Sequence, residues 1–360
     1  MSFDNIIGHR EVIENLKNRL REGRFHHAIM FYGPKGIGKR TLALEFVKAV
    51  NCRNLKSYNP CDECNNCKWI SEYTHPDLIV ITNDMRAEYL QLNKGVSVRG
   101  PNTESDESEG RERRAKGEIS IDMIRALDEV IYSPPVEGRY RVIFIIDADS
   151  MNKSAANAFL KTLEEPPPQT LIVMTSSYLG MVPITIRSRT EKIRLNPLSK
   201  EDMRRLLVEK MNYSSRYMDV VLRLLSGGID RDILSIDEES IGQYLGIIHE
   251  FLSKDRVSFD DIIDISSILT YSSSREEREL RVNIFFRMLI SLMIDIFLNR
   301  NRDLWGDLFE VKQRINFEMI EDINEVIRFL RTSQDFYCNS AIAIKSELLR
   351  YTRLWNRLSA

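Results

Sequence analysis

Apolar residues in the first two hundred positions fall into two alternating kinds of run. In NIIGHREVIENLKNRL (5–20), Ile6, Ile7, Val12, Ile13, Leu16 and Leu20 recur at helical spacing. HAIMFYG (27–33) is a short continuous apolar run closed by glycine, the pattern of a strand buried on both faces. KRTLALEFVKAV (39–50) returns to helical spacing. DLIVIT (77–82), RVIFIID (141–147) and TLIVMTSS (170–177) repeat the strand pattern, and SIDMIRALDEVIYS (120–133) and SAANAFLKTLEEP (154–166) read as helices between them. Buried strands alternating with helices predict a parallel sheet covered on both faces. After NPLS (196–199) no further strand-like run is clear and amphipathic helices dominate, with Gly227-Gly228 ending one of them. TESDESEGRERRAKGE (103–118) breaks the pattern. Its only apolar side chain is Ala115, too little to offset the entropy of ordering, so a disordered insertion of about 85–117 with a solvated, mixed-charge surface is expected.

Composition narrows the setting. The chain has 360 residues, room for two or three domains, and its 51 basic and 53 acidic residues leave a net charge of -2. No global positive field draws it to nucleic acid, so any DNA contact is local or shared with partners. MSFDNIIGHR carries no apolar signal-peptide core, and the most apolar stretch, Ile284–Leu298, is interrupted by Arg287 and Asp295. A cytoplasmic protein without membrane contact is expected. In that compartment clustered cysteines point to metal binding rather than disulfides.

Four places carry candidate chemistry. GPKGIGKRT (33–41) lies between a predicted strand and a predicted helix, as a phosphate-binding loop requires, with Gly33, Gly36 and Gly38 for close backbone approach and Lys39 as a point charge. The hydroxyl that would hold magnesium is replaced by Arg40. A guanidinium has no acceptor, and Thr41 is rotated by about 100° along the helix. The third strand ends at Asp147, in the place of a magnesium-binding Walker B aspartate, but Ala148 follows where ATPases of this kind place a water-activating glutamate. Asp149 is the next carboxylate, on a shorter side chain and one residue too far along to be expected to reach. Two independent positions are thus wrong for hydrolysis.

Cys61, Cys64 and Cys67 form C-x2-C-x2-C, with Cys52 nine residues before Cys61. Four thiolates suit a closed tetrahedral zinc site; short C-x2-C runs also serve iron–sulfur clusters, but no redox motif accompanies these, and zinc is expected. Cys338 stands apart and reads as a small buried residue. In TIRSRTEKI (185–193), Arg187 and Arg189 are either solvated or, for one of them, an arginine finger reaching a neighbour's nucleotide.

These residues resemble the bacterial clamp-loader AAA+ subunits, most of all the delta-prime class of DNA polymerase III. FDNIIGHREVIENLKNRL with GRFHHAIMFYGPKGIGKRTLA, NPCDECNNCKWISEYTHPDLIVI, AANAFLKTLEEPP, TIRSRT and NSAIAIKSELL carry the resemblance. It implies an α/β P-loop AAA+ domain over 1–195 holding a zinc module at 52–67, a helical lid at 196–240 and an all-α collar at 241–360. It further implies zinc on Cys52, Cys61, Cys64 and Cys67. A nucleotide site would use Gly33, Gly36, Gly38, Lys39, Arg40, Thr41 and Asp147, with Thr175 near sensor 1 and Arg231 at sensor 2. Arg189 would be the trans-acting finger, with Thr190 in place of the motif's usual cysteine. The motor subunits tau and gamma keep the P-loop hydroxyl and the Walker B glutamate that this sequence lacks. The resemblance therefore implies a stator with ATP or ADP binding left open, partnered by tau/gamma, the delta subunit, the sliding clamp and primer-template DNA. The alternative is an active tau/gamma-like ATPase in which Arg40 and Asp149 compensate.

Overall fold

The computed structural model of the protein describes residues 2–83, 117–253 and 275–305. Most of the expected insertion, the segment NSAIAIKSELL (339–349) expected in the collar, and Cys338 lie outside the described residues. Two compact units emerge. One comprises residues up to Lys210 with Gly227–Ile229, and the other Met211–Ser226 with the described residues from Asp230 onward.

The first unit is a five-stranded sheet, β1 (Ala28–Tyr32), β2 (Leu78–Ile81), β3 (Arg141–Ile145), β4 (Thr170–Ser176) and β5 (Glu191–Arg194), in the order β2-β3-β4-β1-β5. All neighbouring pairs are parallel. Alternate residues feed two separate cores. Ile29, Phe31, Val142, Phe144, Leu171 and Val173 belong to a cluster with residues of α1 (Arg10–Glu22), α2 (Lys39–Asn51) and α3 (Asn65–Ser71). Ala28, Met30, Ile143, Ile145, Ile172 and Met174 belong to another with residues of α4 (Ile121–Ile131) and α5 (Lys153–Glu164). This parallel α/β architecture, with its glycine loop after β1, is AAA+-like.

The four strands expected from the apolar runs are present, each trimmed by one or two residues. β5 is the one the pattern did not reveal. Its sequence is Glu-Lys-Ile-Arg, with only Ile193 buried, because it is an edge strand solvated on one face. Arg187 and Arg189 therefore lie on a connection inside the sheet's topology, between β4 and β5, and not beyond it.

Asp77 pins the loop that precedes β3. Its buried carboxylate accepts the N–H groups of Val136, Glu137 and Gly138 at 2.8, 2.7 and 2.7 Å. In the second unit, helix Arg275–Phe297 buries Ile284, Phe285, Met288, Leu289, Leu292, Met293 and Ile296. The charge that interrupts its apolar face, Asp295, takes a bidentate Arg223 guanidinium at 2.9 and 2.9 Å and the Trp305 indole N–H at 2.8 Å. A buried carboxylate is tolerable only when paired in this way. Arg287 reaches Asp230 at 2.7 Å. Among the described residues no helix is long and apolar enough to cross a membrane.

Burial pushes the Asp77 carboxyl up, but the three backbone donors outweigh it and hold its pKa below the ordinary carboxylate value. The folded pKa is thus below the unfolded one, so the stabilisation is full above the unfolded value, about 3.9, and fades as pH falls through the folded value. Asp77→Asn is expected to be less stable than the parent in urea at pH 7, with the gap closing in acid; a gap constant with pH would contradict this.

Candidate functional site

A parallel sheet brings the carboxyl ends of its strands to one edge, and the loops there form the candidate site. Gly33 follows β1 and donates its N–H to Ser176 O at the end of β4 (3.2 Å). Gly36 (φ 77°) and Gly38 (φ 92°) take left-handed backbone values. Gly36 is constrained twice. Its carbonyl accepts Ile229 N–H at 2.8 Å, and a side chain there would collide with the Ile229 backbone. A side chain at Gly228 would likewise collide with the Lys35 carbonyl. Gly227-Gly228 therefore does more than end a helix, since it lets residues 227–229 pack against the phosphate loop. His9 Nε2 lies 2.7 Å from Ile37 O on the same loop.

Lys39 opens α2 and is 6% exposed. Its ammonium donates to Gly33 O (2.9 Å), Pro34 O (2.7 Å) and Ser177 Oγ (3.0 Å). Burial pulls its pKa down, while the carboxylates of Asp147 and Asp149 work the other way. Ser177 was not anticipated; the hydroxyl run Thr175-Ser176-Ser177 at the end of an apolar strand was the available signal. Thr175 is buried and its Oγ1 accepts Asp147 N–H at 3.0 Å, so it fixes the backbone of the aspartate.

Asp147 stands just past β3 in a left-handed conformation (φ 55°). Burial and the neighbouring Asp149 push its carboxyl pKa up, against Lys39, Arg40 and Lys35. The turn drives Ala148 inward. It is 0% exposed, in the apolar cluster with Ile119, Met151 and Ala155, so a carboxylate at this position would be buried. Asp149 lies at this edge of the sheet. The short helical turn at Ala148–Ser150 carries it back, and its Oδ1 accepts Ser177 N–H at 2.9 Å.

Arg40 does not face the phosphate loop. Its Nε donates to Tyr73 Oη at 2.9 Å and its guanidinium carbon lies 5.2 Å from the Tyr73 ring centroid. Thr41 is exposed. Arg231 is exposed at the start of helix Arg231–Leu234 in the second unit.

The four cysteines converge. Their sulfurs all lie within 4.8 Å of one another, with Cys61 and Cys67 Sγ 4.0 Å apart. A tetrahedral tetrathiolate zinc with bonds of about 2.3 Å separates its sulfurs by about 3.8 Å, so the donor set fits with small adjustments. Cys61 N–H points to Cys52 Sγ (3.3 Å) and Cys64 N–H to Cys61 Sγ (3.4 Å), contacts that favour thiolates. Burial works against ionisation of Cys61, yet the N–H groups of Cys64 and Glu63 with the adjacent thiols bring its pKa down to about 7. The module is tied to α2. Buried Lys48 bridges Glu45 and Asp62, and Asn66 Nδ2 donates to Asn51 O at 2.9 Å.

Arg189 follows the turn Ile184–Arg187 and is 37% exposed. It pairs with Glu164 at the end of α5, and its Nη1 donates to Thr185 O at 3.1 Å. On the same β4–β5 connection Tyr178, Met181 and Ile184 expose apolar side chains, while Val182 and Ile186 anchor it in the core.

Elemental analysis of the purified protein is expected to return one zinc per chain. Cys64→Ser is expected to lose the metal and lower the thermal midpoint. Iron in its place, or a Cys64→Ser protein that keeps its zinc, would contradict the assignment.

Residues 8–199 match the family described as DNA polymerase III, delta subunit. DNA polymerase III subunit tau of Escherichia coli (strain K12) is 30% identical over 245 residues, which is 67% of this chain and 33% of that relative. DNA polymerase III subunit gamma of Buchnera aphidicola subsp. Acyrthosiphon pisum is 26% identical over 341 residues, 93% of this chain and 79% of the relative. A crystal structure of a DNA polymerase III gamma subunit-related protein from Thermotoga maritima aligns over 96% of this chain and 99% of its own, with a TM-score of 0.42 and 16% identity. Against the Escherichia coli tau subunit the match spans only 33% of the relative's length. With the family match covering more than half of its residues, the chain belongs to the DNA polymerase III delta-subunit family and is homologous to the tau and gamma subunits.

Proposed function

We propose that this chain is a delta-prime-like stator of the DNA polymerase III clamp loader, a cytoplasmic subunit that helps place the sliding clamp on primed DNA without hydrolysing ATP itself. The observation that carries this reading is at position 40. Where a motor subunit needs a hydroxyl for magnesium, Arg40 offers no acceptor and is held on Tyr73. Ala148 adds to it, because the position of the water-activating glutamate is folded into the core.

The parts that remain suit binding and assembly. Gly33, Gly36, Gly38 and Lys39 keep the form of a phosphate cradle in which ATP or ADP could rest, with Thr41, Asp147, Thr175 and Arg231 as its outlying members. Residues 196–240 would act as the lid and 241–360 as the collar. Tau/gamma motors, the delta subunit, the clamp and primer-template DNA would be the partners. Zinc on Cys52, Cys61, Cys64 and Cys67 would hold the module against α2. Arg189 would reach the nucleotide of a neighbouring motor and stabilise charge on the transferring phosphate. Its partial exposure supports this, as do the exposed apolar side chains on the same connection, which are more at home in a subunit contact than in water.

A second reading, an active tau/gamma-like ATPase, draws on Asp149, which does lie at this edge of the sheet. Its Oδ1 accepts Ser177 N–H, however, and position 40 holds a guanidinium without an acceptor where the magnesium hydroxyl would stand.

In a clamp loader reconstituted with the cognate motor subunits, Arg189→Ala should leave folding intact and lower ATPase on the order of 10³-fold at the site it completes. ATPase unchanged by the substitution would refute the role.

A further inference from the structure

We propose that Glu164 is the positioning residue of Arg189, an inference that rests on the reading of Arg189 as a trans-acting finger. Glu164 is the last residue of α5, within the LKTLEEPP stretch, and Arg189 lies beyond β4 and the turn at Ile184–Arg187. The fold brings them into an ion pair, Glu164 Oε1 with Arg189 Nη2. Nη1 is fixed by Thr185 O at 3.1 Å and, more loosely, by Ser188 Oγ at 3.4 Å.

Two features argue against a stabilising role for this pair. Both side chains are well exposed, at 37% for Arg189 and 49% for Glu164, and pairs of that kind contribute little to stability. Glu164 also stands at the negative end of the helix dipole, so its charge costs helix stability that the pair can at most offset. The consequence of the pair is geometric. Arginine has many rotamers, and an unrestrained finger would have to be ordered each time a neighbour docked.

A guanidinium carries five N–H donors. Thr185 and Ser188 accept from Nη1, and the Glu164 carboxylate lies against Nη2 as an ion pair. Among the described residues Nε–H carries no hydrogen bond, so the Nε side of the guanidinium is left for a phosphate. Glu164 therefore holds one side of the fork so that the other is presented outward.

The test uses the reconstituted clamp loader carrying Glu164→Gln, Glu164→Asp, Arg189→Ala or Glu164→Gln with Arg189→Ala. Glu164→Gln should lower kcat for ATP on the order of tenfold, with KM and assembly affinity unchanged. Glu164→Asp should recover part of the loss, and the double variant should be no slower than Arg189→Ala alone. The thermal midpoint of the isolated chain should not move. In that chain, 15N NMR should show the Arg189 Nε–H signal restrained in the parent and averaged in Glu164→Gln. Full kcat in Glu164→Gln beside a slow Arg189→Ala overturns the positioning role and leaves the finger standing. A double variant slower than Arg189→Ala, or an unchanged Nε–H signal, also overturns it. A silent Arg189→Ala removes the finger itself, and the positioning role with it.

Discussion

The parallel sheet imposes the constraint on which the rest of the molecule depends. With β1, β3 and β4 hydrogen-bonded side by side and pointing the same way, Gly33, Asp147 and Ser177 must emerge at one edge. The glycine loop after β1 turns its backbone toward that edge, and Lys39 closes onto the loop's own carbonyls and the Ser177 hydroxyl. A cradle made of backbone groups persists whatever side chains surround it. Such a fold can keep the form of a nucleotide site after its catalytic groups have gone.

The catalytic positions have been given other work. Arg40 fastens the start of α2 to Tyr73, and Lys48 and Asn51 fasten the rest of that helix to the four-cysteine module. Asp149 braces the backbone at Ser177. Ala148 fills the core beneath α5. Each of these is a structural use of a place where a motor would need chemistry. The connection bearing Arg189 leaves that side chain partly exposed on Glu164 and also exposes Tyr178, Met181 and Ile184. On the proposed reading, that arginine serves the site of a neighbour.

Much of this was readable in the chain. Four strands announce themselves as unbroken apolar runs because both of their faces are covered, and the cysteine spacing places four sulfurs together because the intervening residues make tight turns. β5 was hidden because an edge strand with one solvated face reads as Glu-Lys-Ile-Arg. Gly227-Gly228 gave a helix end but not its second purpose, since a close approach to Lys35 and Gly36 is a contact across almost two hundred residues. Ser177, the Tyr73 contact of Arg40 and the return of Asp149 depend in the same way on how strand ends converge. A one-residue offset along the chain could not say that the turn after Asp147 would send Ala148 inward and bring Asp149 back.

The central claim is that the chain does not fire its own site. Steady-state hydrolysis of ATP with magnesium by the purified, metal-loaded chain tests it most directly, measured beside Lys39→Ala. The account predicts no turnover above that of Lys39→Ala. Clear turnover by the parent chain alone, abolished in Lys39→Ala, would contradict it.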